Sequence, residues 1–162
     1  MDEGSLIKTL LFSRRDCPLI LALFASRPEY FAPAALPLVD RCLEVGSGYR
    51  IFLVRERERI IGCAIWHEGL YEAEINWLVV AADKERQGIG RILVERVVAS
   101  AQQGGLRYLR LVTAAVGSDD DPRDAAYRGT HKFYKKFGFG QIAILPAYWP
   151  SGEDAALFMK RI

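Results

Sequence analysis

The stretch from Glu74 to Arg91 constrains this chain more than any other. An apolar, strand-like run, Ala73 to Ala81 (AEINWLVVA), enters the polar turn Asp83-Lys84-Glu85-Arg86-Gln87. It leaves through Gly88-Ile89-Gly90 into a segment of helical period. In that segment Ile89, Leu93 and Val97 share one face, with Ile92 and Val94 beside it, until Gly104-Gly105 ends it near Gln103. The first turn of a helix carries backbone N–H groups with no partner inside the helix. The helix dipole favours negative charge over them, and glycines let a phosphate approach the backbone. Lys84, Arg86 and Arg91 add positive charge at the same place. The segment therefore reads as an anion site, against the plainer alternative of a capped helix with a glycine-rich entry. Two well-known phosphate loops fit poorly. A P-loop needs Lys-Ser/Thr after its glycines, where this chain has Arg91-Ile92. A dinucleotide fingerprint needs a third glycine near Leu93 and belongs to an early βαβ unit.

The rest of the chain sets this turn in a mixed sheet. Leu6 to Phe12 reads as a strand. Asp16 and Pro18 open a helix that continues through Leu19 to Ala25, and a second helix spans Ala34 to Glu44 before Gly46-Ser47-Gly48. Tyr49 to Arg55, Ile60 to Trp66 and Ala73 to Ala81 form an antiparallel meander, the first two joined by the charged turn Glu56 to Arg59. Tyr108 to Thr113 is a strand, Ala115 to Arg123 a loop, Asp124 to Phe137 a helix closed by Gly138, and Phe139 to Leu145 and Ala155 to Arg161 the last two strands. This order predicts one α/β (α+β) domain over residues 1–162, with about seven strands and about four helices. Half the residues (51%) are apolar, enough for a core without metals or disulfides. A net charge of +2 gives no electrostatic case for nucleic acid. The three cysteines, Cys17, Cys42 and Cys63, are odd in number and widely spaced, which indicates neither a disulfide framework nor zinc. The polar start, Met1 to Ser5, is unlike a signal peptide, and no apolar run reaches membrane-spanning length. A soluble, cytoplasmic protein without membrane attachment is expected.

Three motifs in order resemble the GNAT family of N-acetyltransferases. Glu85-Arg86-Gln87-Gly88-Ile89-Gly90 resembles the family's Arg/Gln-x-x-Gly-x-Gly/Ala turn. Leu78-x-Val80 resembles the Leu-x-Val that ends the preceding strand. Phe133-Tyr134-Lys135-Lys136-Phe137-Gly138-Phe139 resembles Phe-Tyr-x-x-x-Gly-Phe, and the ending from Pro150 to Ala155 resembles the last hairpin of many small bacterial members. The likeness is good from about Tyr49 onward and weak before it. Four features depart from the pattern: Glu85 at the first motif position, Ala82 for the usual proline, Tyr127 where many members carry asparagine, and a long loop from Ala115 to Arg123.

The resemblance implies a mostly antiparallel sheet with a splayed central strand pair, and acetyl-CoA as co-substrate without a metal. The backbone of Arg86, Gln87, Gly88, Ile89, Gly90 and Arg91 would hold the CoA pyrophosphate. Leu78, Val79 and Val80 would line the pantetheine arm, the backbone of Leu78 and Val80 pairing with it like an added strand. Arg91 or Lys84 would reach the 3′-phosphate. Glu74, at the family's spacing from Gly88, becomes the base that takes the amine's proton, with Glu72 as fallback. Tyr134 becomes the acid at the thioester sulfur, its ordinary pKa of about 10 keeping it protonated at neutral pH. The acceptor implied is a small-molecule amine or a peptide or protein amine, met by the first helices and variable loops. The resemblance leaves the oligomeric state open, a homodimer being one form because dimers are common in the family. A CoA-binding module without transfer is the competing reading.

Other residues weigh less. In a plain strand Glu74, Asn76 and Leu78 share a face and Trp77 points to the core. His131 shares a helix face with Tyr134 and is a weaker candidate base, and His67 reads as a surface residue. Asp119-Asp120-Asp121 reads as a solvated loop with no ligand spacing after it. Trp66, Trp77, Tyr148 and Trp149 are candidates to line an acceptor pocket. Cys63 lies in an apolar strand, where a thiol is normally inert, which argues against a covalent route.

Overall fold

Strand pairing follows from the meander that the β-branched and aromatic runs predict. In the computed structural model, residues 7–117 and 122–162 are described, with side chains from residue 12 and, after the gap, from residue 124. Leu6, the stretch Met1 to Ser5 and Asp119 to Asp121 lie outside the described residues. The strands are β1 (Ile7–Leu11), β2 (Tyr49–Glu56), β3 (Arg59–Glu68), β4 (Glu72–Val80), β5 (Tyr108–Ala114), β6 (Gly140–Leu145) and β7 (Ala155–Arg161). They form one seven-stranded sheet in the order β1-β2-β3-β4-β5-β7-β6. Only β4 and β5 run parallel, because the helix α3 (Ile89–Gln103) carries the chain back between them.

The other helices are α1 (Cys17–Ala25), α2 (Leu36–Cys42) and α4 (Pro122–Lys136). Most expected boundaries hold within two or three residues. The first strand pair extends to Glu56 and Arg59, so its hairpin turn is only Arg57-Glu58, with Arg57 at a left-handed φ of 54°. The second helix is shorter than expected, a 3-10 turn over Pro33–Ala35 followed by α2. Asp16 precedes α1 as expected, but its carboxylate turns back to the Ser13 N–H and pairs with Arg55 on β2.

The core lies where α3 and α1 cover opposite faces of the sheet. Leu93, Val94 and Val97 of α3, and Ile20 and Phe24 of α1, are fully buried, each contributing about 1.5–3 kcal/mol of apolar burial. Gly62 on β3 permits the contact with α3, since a Cβ there would come within 2.6 Å of Ile89 Cγ2.

One irregularity shapes the functional face. Ile65 of β3 pairs with Trp77, but Trp66 pairs with Ile75, so Asn76 is an extra residue in β4, a β-bulge. Directly opposed residues share a face. Gly62 and Ala64 oppose Val80 and Leu78, which places Leu78 and Val80 on the α3 side. Trp77 points the other way, its ring 6.1 Å from Phe24 of α1. Glu74, opposite His67, lies on the α1 side too, as does Asn76, whose Oδ1 is 2.8 Å from His67 Nδ1. Simple alternation had put Glu74, Asn76 and Leu78 together and Trp77 apart from them. The bulge reverses this: Glu74, Asn76 and Trp77 share a face, and Leu78 leaves it.

Candidate functional site

The β4–β5 ladder is short. Its register runs from Glu72 opposite Tyr108 to Ile75 opposite Leu111 and stops there. Beyond it the two strands splay. On its other edge β4 stays paired with β3, where the Ala81 N–H donates to the Ile61 carbonyl. Antiparallel pairs alternate between bonded and non-bonded positions. Counting back from Ala81, Val80 and Leu78 are non-bonded toward β3, so their N–H and C=O groups point into the gap, where the Val80 carbonyl already accepts from Arg27 Nη1 at 2.5 Å. A backbone edge two residues apart is thus offered to an extended ligand.

The gap leads into the glycine turn. Arg86 (φ 59°) and Gly88 (φ 85°) both adopt left-handed backbone and reverse the chain before α3. Among the described residues, no N–H from Arg86 to Arg91 donates to a backbone carbonyl; the first such bond runs from Ile92 to Gly88. These free N–H groups stand at the positive end of α3. A Cβ on Gly88 would meet nothing within 4 Å, so the turn opens outward there. A Cβ on Gly90 would lie 3.1 Å from the Phe133 ring, which shows how closely α4 packs on the start of α3.

The surrounding cations are not equivalent. Lys84 Nζ is 2.6 Å from Glu56 Oε2 and is occupied. Arg91 is two-thirds exposed, reaches Glu95 only at 3.8 Å and leans over the Phe137 ring at 5.4 Å. With Glu95, Gln102, Lys136, Phe137 and Lys160 it lines a groove of about 330 Å³ between α3 and the end of α4. Arg91 rather than Lys84 is therefore available to a phosphate.

Glu85, the motif's departure, has a structural reason. Arg27 in the loop after α1 is buried, and its Nη2 lies 2.6 Å from Glu85 Oε1. An arginine at position 85 would face Arg27.

The proposed base and acid lie on opposite sides of the sheet. Glu74 Oε2 is 2.6 Å from Nη2 of Arg110, its neighbour on β5, and the pair sits at the fork of the splay. Tyr49 opposes His67, with ring centroids 5.5 Å apart, so Tyr49, His67, Glu74, Asn76, Trp77 and Arg110 share the α1 face. Tyr134 is buried on the other side among Phe133, Phe139 and Phe158. Burial pushes its phenol far above the ordinary value. That corrects the expectation of an acid with an ordinary pKa. A phenol so raised keeps its proton across the neutral range and is equipped to donate a hydrogen bond rather than a proton.

Several lesser candidates resolve. His131 is buried and its Nε2 donates to the Ala114 carbonyl at 2.9 Å, tying α4 to the end of β5. His67 is half-buried beside the bulge rather than on open surface. Trp66 is fully buried against Phe52 on the α3 side and does not line the face of Glu74. Tyr127, in the usual asparagine position, donates its hydroxyl to the Tyr30 carbonyl at 3.0 Å. Cys63 is fully buried, and burial raises its thiol well above the ordinary range, so it is no nucleophile. Among the described residues no three His, Cys, Asp or Glu side chains gather as metal ligands would. No described helix is long and apolar enough to cross a membrane. Arg27, Tyr49, His67, Asn76 and Arg110 carried no signal in the sequence, because each acquires its place only through strand register or loop packing.

The sequence matches the family model described as an acetyltransferase (GNAT) domain over residues 47–141. The chain belongs to the GNAT acetyltransferase family. Its fold agrees. A putative GNAT acetyltransferase from Desulfovibrio desulfuricans superposes with a TM-score of 0.80 at 23% identity, over 96% of this chain and 98% of that one. The ribosomal-protein-S18-alanine N-acetyltransferase of Escherichia coli gives 0.77 at 23% identity, over 97% and 94%. A GNAT acetyltransferase from Elizabethkingia anophelis with acetyl-CoA bound gives 0.70 at 20% identity, over 98% and 100%. No curated protein sequence matches the chain. The GNAT domain thus spans the meander, the glycine turn and α4, and the departure at Glu85 lies within it.

Proposed function

We propose that this GNAT domain transfers the acetyl group of acetyl-CoA to a primary amine by direct attack in a ternary complex. The observation that carries the reading is the continuity of two backbone features. The gap edge at Leu78 and Val80 runs straight into the free N–H groups of Arg86 to Arg91. An extended amide arm ending in a pyrophosphate matches both. Val79, between the two edge residues, is buried on the α1 side and holds the strand down. Arg91 takes the 3′-phosphate.

In this reading the acetyl thioester lies at the fork, and the Leu78 N–H polarises its carbonyl. The amine arrives as an ammonium on the α1 face. Glu74, directly or through one water, removes a proton and passes it to solvent. The nitrogen lone pair attacks the carbonyl carbon, the tetrahedral oxyanion collapses and the C–S bond breaks. The second proton of the nitrogen ends on sulfur as free CoA. Tyr134, packed on the opposite face among Phe133, Phe139 and Phe158, would turn its retained phenol proton toward the sulfur and stabilise the leaving thiolate by hydrogen bonding.

A second reading, a CoA-binding module without transfer, is favoured by one observation. Glu74 is already engaged by Arg110. A thiol-release assay with acetyl-CoA and a panel of small amines, amino acids and peptides separates the two. The expected result is amine-dependent CoA release together with an acetylated amine by mass. CoA binding with no turnover across the panel makes the module the correct reading.

A further inference from the structure

The acetyl-transfer steps give the amine side one proton acceptor, Glu74, yet His67 faces it from β3. The two are directly opposed in the β3–β4 ladder, which sets their Cβ atoms about 4.5–5.5 Å apart on one face. Glu74 already has Oε2 tied to Arg110 Nη2 at 2.6 Å. His67 is held differently. Its Nδ1 lies 2.8 Å from Asn76 Oδ1, and Tyr49 of β2 packs edge-on to its ring at 5.5 Å. An amide oxygen can only accept, so Nδ1 carries the proton and Nε2 carries the lone pair. Asn76 is the extra residue of the bulge and opposes nothing on β3, which frees its amide for this contact.

Nε2 is left open. Among the described residues it has no hydrogen-bond partner, and the buried side-chain atoms without one are Trp66 Nε1 and Arg110 Nε. An unpartnered Nε2 on a half-buried ring, outside that buried pair, presents its lone pair to solvent. The ionisable groups around it are Tyr49 from β2, with Cys42 of α2 behind, and Glu74 from β4 with Arg110 from β5. The chain's other histidine is built the opposite way. His131 is buried and donates from Nε2 to the Ala114 carbonyl, so it offers solvent no base.

We propose that His67 is a second proton acceptor for the arriving amine, taking its proton on Nε2 directly or through one water, with Asn76 as the positioning residue that fixes the tautomer. This rests on the acetyl-transfer reading and adds a group to it. The ammonium N–H bond breaks as the bond to Nε2 forms, which leaves a neutral amine and an imidazolium. The amine lone pair attacks the thioester, and the imidazolium gives its proton to water before the next turnover. Imidazole suits the task because it is the side chain whose charge changes near neutral pH.

Two measurements on the full chain test this. The first is the ring-nitrogen NMR spectrum of histidine-labelled protein, taken where both rings are neutral. The chain has only two histidines, and opposite tautomers are expected: the proton on Nδ1 in His67 and on Nε2 in His131. Asn76→Leu should erase the preference at His67, and Asn76→Asp should keep it. The second is kcat/KM for the fastest amine of the panel. At pH 7 His67→Gln should lose about 100-fold and Asn76→Leu about tenfold, with acetyl-CoA affinity changed by less than about twofold. An alkyl amine titrates at about 10.4, so the loss in His67→Gln should shrink severalfold by pH 10, where much of the amine arrives without its proton. If His67→Gln fails to fold, Asn76→Leu keeps the ring and carries the kinetic test. A proton on Nε2 of His67, wild-type kcat/KM in His67→Gln at pH 7, or a loss of equal size at pH 7 and pH 10 overturns the role of His67 and leaves the acetyl-transfer reading standing. A wild type with no amine-dependent turnover overturns that reading and the role of His67 with it.

Discussion

The turn at 78–91 and the face around Glu74 are built in opposite ways. The turn offers backbone: two left-handed residues, a splayed edge and free N–H groups, held by one contiguous run of chain. The face offers side chains, with Tyr49 from β2, His67 from β3, Glu74 and Trp77 from β4, Arg110 from β5 and Phe31 from the loop after α1. Backbone recognition depends on conformation, which glycine spacing and period encode locally. Side-chain recognition depends on register between distant strands, which no local pattern encodes. The first region should therefore fail only when its conformation or its open space is lost, and the second should respond to single functional groups.

The largest effect tests the backbone half. Gly88→Glu puts bulk and negative charge over the free N–H groups. CoA affinity measured by calorimetry should fall at least about 100-fold, about 2.7 kcal/mol. Gly88→Ala is the control. It carries the same left-handed strain of about 1–2 kcal/mol but almost no bulk, and its Cβ meets nothing within 4 Å. It should lower the melting temperature while leaving most of the CoA affinity. Equal losses in the two variants would mean that conformation alone, not an anion at that spot, explains the turn.

Next come the groups that act one at a time. Tyr134→Phe should lower kcat about 100-fold and change acetyl-CoA affinity by less than about twofold. Wild-type turnover in a folded variant would remove Tyr134 from the reaction. Glu85→Arg, which restores the residue usual at that position in the family, should destabilise this chain by about 1–3 kcal/mol. It faces the buried Arg27 with a second cation and strips Arg27 of its Glu85 partner. An unchanged or raised melting temperature would show that Arg27 has room to move away.

The same contrast explains what could be read from the sequence. The glycine turn, the helix behind it and the element order were legible because each rests on a local period or a breaker. The bulge at Asn76 was not. Nothing in Ile75-Asn76-Trp77 announces an extra residue, and its effect is to swap faces, turning Trp77 toward Phe24 and Leu78 toward α3. Glu74 was singled out by the family's spacing to Gly88, but its pairing with Arg110 needed the parallel register of β4 and β5. Glu85 looked like a defect while Arg27 was only a distant residue in a proline-broken stretch. The places of His131 and His67 were hidden for the same reason: one is buried and tied to the Ala114 carbonyl, the other is half-buried and faces the bulge.

The smallest effect concerns pH, and it separates the two regions by their tyrosines. Burial, the largest cause in each case, raises Tyr134 on the cofactor side and Tyr49, Tyr30 and Tyr127 around the amine-side face and its loop. A raised folded-state pKa gives a contribution to stability that is fully present below the unfolded value near 10 and is lost as pH rises above it. There the unfolded chain has released the proton while the folded chain still holds it, so the unfolded state binds fewer protons and stability falls with pH. Each fully retained proton steepens that fall by about 1.4 kcal/mol per pH unit. Urea denaturation at pH 9 and pH 11 should show Tyr134→Phe with a shallower decline than the wild type by about that amount. Between pH 7 and 9 the two should decline alike. Tyr134 stays a phenol throughout that range, so any alkaline limb in kcat must come from another group. A Tyr134→Phe curve parallel to the wild type above pH 10 would mean that the phenol reaches solvent, and would move it out of the closed ring cluster into the open gap.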